Sequence, residues 1–362
     1  MAKPRVVLTG LGTVNPLGKN VGEFWSALLQ GASGIRRIQR FDATPFTSQI
    51  GGEVLDWESV PADMLDPRES KRMDRFCQMA VASSIEAVRD SGIDFAKENV
   101  DRCGVIFGSG IGGLQELEDQ HKRLLEKGPS RVSPFTVPKL MANAAAGNIS
   151  IVWGLRGPNI AVVTACASAA NSIGEALRCI QRGECDVVIS GGSEAALTKI
   201  GLASFCALKG LSTRNDDPQH ASRPWDKDRD GFLLSEGAGA LVLEDLEHAK
   251  NRGAKIYAEL IGYGASGDGH HITAPDPVGN GAVLAMQRAM ADAQVDPRQI
   301  QYVNAHGTST DLGDAGDRAR RCRHHDHGRV RGGADEDRAG QLLFAEGPVH
   351  PQRRSRARQP AL

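Results

Sequence analysis

Residues 159–183 constrain the fold of this chain more than any other stretch. Residues 159–163 are apolar and β-branched, the composition of a buried strand. Downstream, Ala170, Ile173, Leu177 and Ile180 recur at helical spacing, and Gly183 stands where a C-terminal cap belongs. Strand followed at once by helix, in a glycine-rich and aromatic-poor chain, predicts a layered α/β architecture. The junction reads Thr164-Ala165-Cys166-Ala167-Ser168-Ala169. A thiol there meets the positive end of a helix dipole and free backbone N–H groups, which favour thiolate and can hold an oxyanion. A free cysteine is more often a small buried residue. Position at the junction makes Cys166 a candidate nucleophile instead.

A second strand end is predicted at residues 300–303, opening into Asn304-Ala-His306-Gly-Thr308-Ser-Thr310. A histidine in such a loop can donate to a carbonyl or act as acid or base near neutral pH. Thr308 and Thr310 alternate, so in extended backbone their hydroxyls point the same way. Cysteine and histidine each at a strand end form a more specific pattern than either alone. The run Gly108-x-Gly110-x-Gly112-Gly113 follows the apolar residues 105–107 and superficially suggests a dinucleotide loop. No βαβ unit or acidic partner confirms that, so it reads as a tight turn. Trp225 in Arg-Pro-Trp-Asp reads as a packing residue.

Composition removes several classes. With 362 residues, 40% of them hydrophobic, the chain can bury one large core or two small ones. A net charge of −1 gives no general affinity for nucleic acid or membrane. Seven cysteines without regular spacing argue against a disulfide framework and for a reducing, cytoplasmic setting. The chain enters a predicted strand at residues 6–9, which leaves no room for a signal peptide, and no stretch is apolar enough to span a bilayer.

On these motifs the chain resembles the β-ketoacyl-acyl-carrier-protein synthases of the condensing-enzyme family, nearest to synthase II of bacterial fatty acid synthesis. The likeness begins at Arg5-Val-Val-Leu-Thr-Gly-Leu-Gly12 and is densest in Leu211-Ser-Thr-Arg-Asn-Asp216 and Ser222-Arg-Pro-Trp-Asp-Lys-Asp-Arg-Asp-Gly-Phe232. It continues through Glu236-Gly-Ala-Gly239, Glu247-His-Ala-Lys250 and Gly253-Ala-Lys-Ile-Tyr-Ala-Glu259 to about Asp314. The resemblance implies a thiolase-like αβαβα fold of two similar halves, the second incomplete, and a homodimer. It divides the chain into a nucleophile half (1–254), the start of a second half (255–314) opening with a strand at 255–261 and a helix at 283–293, and a tail (315–362). It implies that Cys166 takes an acyl chain as a thioester, and that malonyl-carrier protein loses carbon dioxide and attacks it. His306 would stabilise the malonyl thioester, Thr308 and Thr310 would bind the phosphopantetheine arm, and Ile111 would face the growing chain. Arg68, Lys71, Arg72, Arg131 and Lys209 match positions that dock the acidic acyl carrier protein, where charge steers a transient encounter. No cofactor or metal is implied, since phosphopantetheine arrives on the carrier.

After Asp314 the pattern breaks. Residues 315–362 hold eleven arginines, no lysine, four histidines and six acids, with one apolar run at 341–345. Such a segment reads as disordered. The family's lysine-bearing strand, Gly-His motif with its second histidine, and Gly-Phe-Gly-Gly loop are absent from it. Arginine-rich, lysine-free sequence after a sharp end of likeness suggests a reading-frame shift near codon 315. A nucleic-acid tail and a metal site at Cys322, His324, His325 and His327 are weaker readings. The alternatives for the whole chain are a non-catalytic partner resembling a chain-length factor, a polyketide ketosynthase, and a non-functional remnant.

Overall fold

The computed structural model describes residues 3–311, 313 and 314, and the backbone of 341–344. In chain order the strands are β1 (Val6–Val14), β2 (Ile35–Arg37), β3 (Ile50–Gly52), β4 (Cys103–Gly108), β5 (Asn159–Val162), β6 (Val187–Glu194), β7 (Gly237–Asp245), β8 (Ala258–Tyr263) and β9 (Gln341–Phe344). The helices are α1 (Val21–Leu29), α2 (Pro67–Ser70), α3 (Arg75–Ser91), α4 (Leu114–Lys127), α5 (Thr136–Leu140), α6 (Ala144–Trp153), α7 (Ser168–Gln181), α8 (Lys199–Ala207), α9 (Leu246–Asn251) and α10 (Asn280–Ala293).

Seven strands form one mixed sheet in the order β5-β4-β6-β7-β1-β8-β9, and β2 and β3 form a separate ribbon. β4 runs parallel to β5 and β6, whereas the β6–β7, β7–β1 and β1–β8 pairs are antiparallel. The central strands read as near-continuous apolar runs because both faces are covered. Val105, Phe107, Val187, Ile189 and Val242 point to the α3 and α6 side. Their neighbours Ile106, Val188 and Leu243 point to the α7 side with Ile173, Leu177 and Ile180. The period-2 alternation thus builds two cores on one sheet. α3 is buried almost all round, so its serines need internal partners: Ser83, Ser84 and Ser91 donate to the carbonyls of Ala80, Val81 and Val88. Asp74 caps its start and Gly92, at φ 65°, ends it.

Several expectations are corrected. Residues 159–163 are not buried: β5 is the sheet edge, with Ile160 46% and Val163 56% exposed, because no strand of this chain lies outside it among the described residues. Residues 300–303 form no strand; they have no ladder partner there, and Tyr302 is 71% exposed. The strand expected at 255–261 is Ala258–Tyr263, and the helix expected from residue 283 begins at Asn280. Within the tail, Gln341–Phe344 pairs in parallel with β8. The readings of the remaining tail as disordered, metal-binding or nucleic-acid-binding lie outside the described residues.

Candidate active site

The sequence places Cys166 on a short turn between β5 and α7, and the structure keeps it there with its side chain exposed. Two close approaches seat the first turn of α7 on the sheet. A Cβ at Gly108 would stand 2.4 Å from the Ser168 carbonyl, and one at Gly192 would stand 2.6 Å from the Ala169 Cβ. Only glycine at the ends of β4 and β6 lets the helix backbone come so near. The turn is pinned from within: the Ser168 hydroxyl donates to the Ala165 carbonyl at 2.8 Å and accepts from the Thr164 amide at 2.9 Å. Ala165 adopts φ 51°, a left-handed conformation that a residue with a Cβ holds only when its surroundings impose it. From the far side the Tyr263 hydroxyl donates to Asn171, which donates to the Thr164 hydroxyl, so β8 also braces the turn.

The electrostatics differ from the sequence expectation. Desolvation pushes the Cys166 thiol up; its own backbone amide pulls it down, and the charge of Glu194 raises it further. Burial of the sulfur's surroundings therefore outweighs the amide and works against the thiolate.

His306 lies half-buried on the loop after residue 303. That loop is clamped by the motif at 222–232. The Ser309 hydroxyl accepts from the Arg223 amide at 3.1 Å, and its carbonyl accepts from Gly231 at 2.9 Å. Asp314, buried, accepts from the amides of Trp225 and Ser309. Arg229 donates to the carbonyls of Thr310 and Asp311. Trp225 supports Gly307, where a Cβ would stand 2.8 Å from its ring, consistent with a packing role. The hydroxyls of Thr308 and Thr310 lie 2.9 Å apart, on one side as expected. The backbone between them is not extended, since Ser309 has φ 63°.

Ile111 sits exposed on the turn after β4, whose backbone packs on Ala165, the neighbour of Cys166. Arg68, Lys71, Arg72, Arg131 and Lys209 are all exposed. Arg72 lies over the Phe135 ring at 5.7 Å, on the segment that also carries Arg131, and Lys209 follows the end of α8. Sequence reasoning missed Asn171, Tyr263 and Glu194. The last ends the string Gly191-Gly192-Ser193-Glu194, and a carboxylate closing a glycine-rich strand is the signal that was there to read. Among the described residues no group of His, Cys, Asp or Glu is placed to hold a metal, and no helix is long and apolar enough to cross a membrane.

An exposed thiol on a strand-to-helix turn, within a glycine-rich layered fold, suits the class of enzymes that work through a cysteine nucleophile. Comparison with known proteins narrows it. The family model described as "Beta-ketoacyl synthase, N-terminal domain" matches residues 3–249, and "Beta-ketoacyl synthase, C-terminal domain" matches residues 257–320. The chain belongs to the β-ketoacyl synthase family. It is 52% identical over 314 residues to 3-oxoacyl-(acyl-carrier-protein) synthase 2 of Vibrio harveyi, covering 87% of this chain and 75% of that one. The protein of the same name from Synechocystis is 49% identical over the same length and shares. Among solved structures, a β-ketoacyl synthase from Burkholderia phymatum superposes with a TM-score of 0.81 at 36% identity, covering 88% of this chain and 78% of that one. The ishigamide ketosynthase/chain length factor gives 0.78 at 35%, with 88% and 77% covered. These neighbours establish the thiolase-like ketosynthase fold and an acyltransferase family that needs no cofactor of its own, phosphopantetheine being borne by the carrier protein.

Proposed function

We infer that the chain catalyses acyl transfer from acyl carrier protein onto Cys166, the first half of a decarboxylative condensation in fatty acid elongation. The observation that carries this reading is the exposed Cys166 thiol on a turn held at Ala165 φ 51°. Cys166 sulfur attacks the carrier thioester carbonyl, its proton passes to the departing carrier thiol, and the acyl group stays on the enzyme. In the second half malonyl-carrier protein loses carbon dioxide, its carbanion attacks the acyl-enzyme, and Cys166 is released with a 3-oxoacyl-carrier protein two carbons longer. His306 donates to the malonyl thioester oxygen as it becomes enolate-like, where a donor matters more than a strong base. Thr308 and Thr310 present paired hydroxyls to the phosphopantetheine arm, and Ile111 faces the acyl chain. A solved structure shows a type II polyketide acyl-carrier protein in complex with its ketosynthase. The exposed cations Arg68, Lys71, Arg72, Arg131 and Lys209 support the same kind of acidic partner here.

The edge strand β5 supports a homodimer: its outer side, with Ile160, Val163 and the 78%-exposed Ile151 of α6, is an apolar face and an unpaired ladder together. Residues 315–362 lack the second histidine and the Gly-Phe-Gly-Gly loop, so the condensation half is impaired in this chain. Intact-mass spectrometry after incubation with acyl-carrier protein tests the assignment. Wild-type protein gains one acyl group and Cys166→Ser gains none; equal labelling of the two overturns it. A folded dimer that takes no label would instead favour the partner resembling a chain-length factor.

A further inference from the structure

The turn at residues 109–113 joins β4 to α4 and carries Ile111, and its backbone is held from two sides. Glu194, the last residue of β6, accepts the Gly110 amide at 2.8 Å and the Ile111 amide at 3.1 Å, both on Oε2. Its other oxygen accepts the Ser109 hydroxyl at 3.4 Å, and Ser109 in turn accepts the Gly112 amide at 3.1 Å. On the opposite side the turn meets the nucleophile's own backbone. A Cβ at Gly110 would stand 3.0 Å from Glu194 Oε2 and 3.5 Å from the Ala165 carbonyl. Gly110 is therefore wedged between the carboxylate and the residue preceding Cys166.

The arrangement is costly. Burial raises the Glu194 pKa, and hydrogen bonds from Gly110, Ile111, Ser109 and Ala195 oppose it; no salt bridge reaches it among the described residues. A charge out of water without a counter-ion destabilises the fold unless donors compensate. Most of the compensation here comes from the turn that carries Ile111, through two of its amides and the Ser109 hydroxyl, with the Ala195 amide adding to it.

We propose that Glu194 is a positioning residue that sets acyl-chain selection: its Oε2 staples Gly110 and Ile111 against the Cys166 turn and so fixes how far Ile111 stands from the thioester. This rests on the reading of Cys166 as nucleophile and Ile111 as chain-facing. Position, rather than charge, is what the staple supplies. Glu194→Gln keeps an acceptor at the right reach, Glu194→Asp keeps the charge but retracts it by one methylene, and Glu194→Ala removes it.

The test is the rate of Cys166 acylation by acyl carrier proteins loaded with chains of four to sixteen carbons, read by intact mass. Glu194→Gln retains the wild-type order of chain lengths. Glu194→Asp, Glu194→Ala and Gly110→Ala shift the ratio of medium to long chains by about tenfold, the scale on which a pocket senses a methylene. A wild-type profile in Glu194→Asp with an altered one in Glu194→Gln makes charge the operative property and overturns the proposal. A fall uniform across chain lengths in all four variants also overturns it, because the role is then merely structural. Amide hydrogen exchange at Gly110 and Ile111 reads the staple without acylation: it rises at least about tenfold in Glu194→Ala but not in Glu194→Gln. Unchanged exchange in Glu194→Ala overturns the staple. If wild type and Cys166→Ser are equally unlabelled while exchange responds, the nucleophile reading has failed, and the chain-selecting role is overturned with it.

Discussion

Asp74 shows how a single buried carboxylate can be read twice, as a cap and as a titration. Its oxygens accept the Phe76 amide at 3.3 Å and the Glu116 amide at 2.9 Å, joining the starts of α3 and α4. Burial pushes its pKa from 3.8 to about 6; the two amides and Lys139 oppose that, while Glu116 adds to it. A raised carboxyl binds its proton more tightly folded than unfolded, so it contributes most stability below pH 4, and this is lost as pH rises through 6. The full swing is up to about 3 kcal/mol at 1.36 kcal/mol per pKa unit. Asp74→Asn lacks the titration, so the stability difference between wild type and variant in urea unfolding shrinks from pH 4 to pH 7.5. A constant difference contradicts the assignment. Residues of this kind were not legible in the sequence. Cys166 and Ile111 sit in motifs a few residues long, whereas Glu194 meets Gly110 across 84 positions and Asp74 meets Glu116 across 42. Local pattern singles out a candidate nucleophile; it does not reveal what holds that residue's neighbours.

At the scale of elements, the junction of β7 and α9 is fastened by charge. Burial alone would raise the Glu244 carboxyl, but hydrogen bonds from Arg252, His248 and Thr9 hold it at about 2. Glu244 likewise raises His248 to about 9, with burial opposing and Glu98 at 2.9 Å assisting. A raised histidine contributes stability fully below pH 6.5 and loses it as pH climbs through 9. His248→Gln is therefore most destabilised relative to wild type near pH 6, and its thermal melting converges on wild type by pH 10. Glu244→Gln leaves Arg252 and His248 facing a neutral side chain and costs about 3–5 kcal/mol, as breaking a buried pair does; chemical denaturation measures it. β5 carries a different prediction. Ile160→Lys places a charge on the exposed edge, so sedimentation shifts from dimer to monomer at micromolar concentration; a wild type already monomeric there contradicts the interface. α7 was legible because Ile173, Leu177 and Ile180 repeat at helical spacing and all are buried. The exposure of β5 was not, because apolar residues awaiting a partner chain and apolar residues already buried spell the same strand. Residues 300–303 were misread for a related reason: strand composition needs a neighbouring strand to become one.

For the whole molecule, the two half-reactions of the proposed function draw on different parts of the chain. In the proposed function the acyl-transfer machinery lies within residues 108–194: Gly108 seats α7 and Glu194 holds the turn at Gly110, while Cys166 and Ile111 take the proposed roles of acyl acceptor and chain-facing residue. All of it rests on β4, β5 and β6, which are paired consecutively in the sheet with β5 at its edge. The proposed carbanion machinery rests on the loop at 304–310, held by the 222–232 clamp and Asp314, and the family match ends at residue 320. The two halves should therefore fail separately. Acylation of Cys166 proceeds in single turnover, whereas malonyl decarboxylation and elongation fall by about 10²–10³, the cost of losing one donor to a developing oxyanion. Replacing residues 315–362 with the corresponding C-terminal region of a 3-oxoacyl-(acyl-carrier-protein) synthase 2 relative, spliced after Asp314, restores elongation while leaving the acylation rate within about twofold, since the acylation machinery is untouched. Elongation at full rate by the unaltered chain would show that His306 suffices. Acylation that appears only in the spliced protein would show that the first half of the fold depends on the second, and the two reactions could not then be assigned to separate segments of the chain.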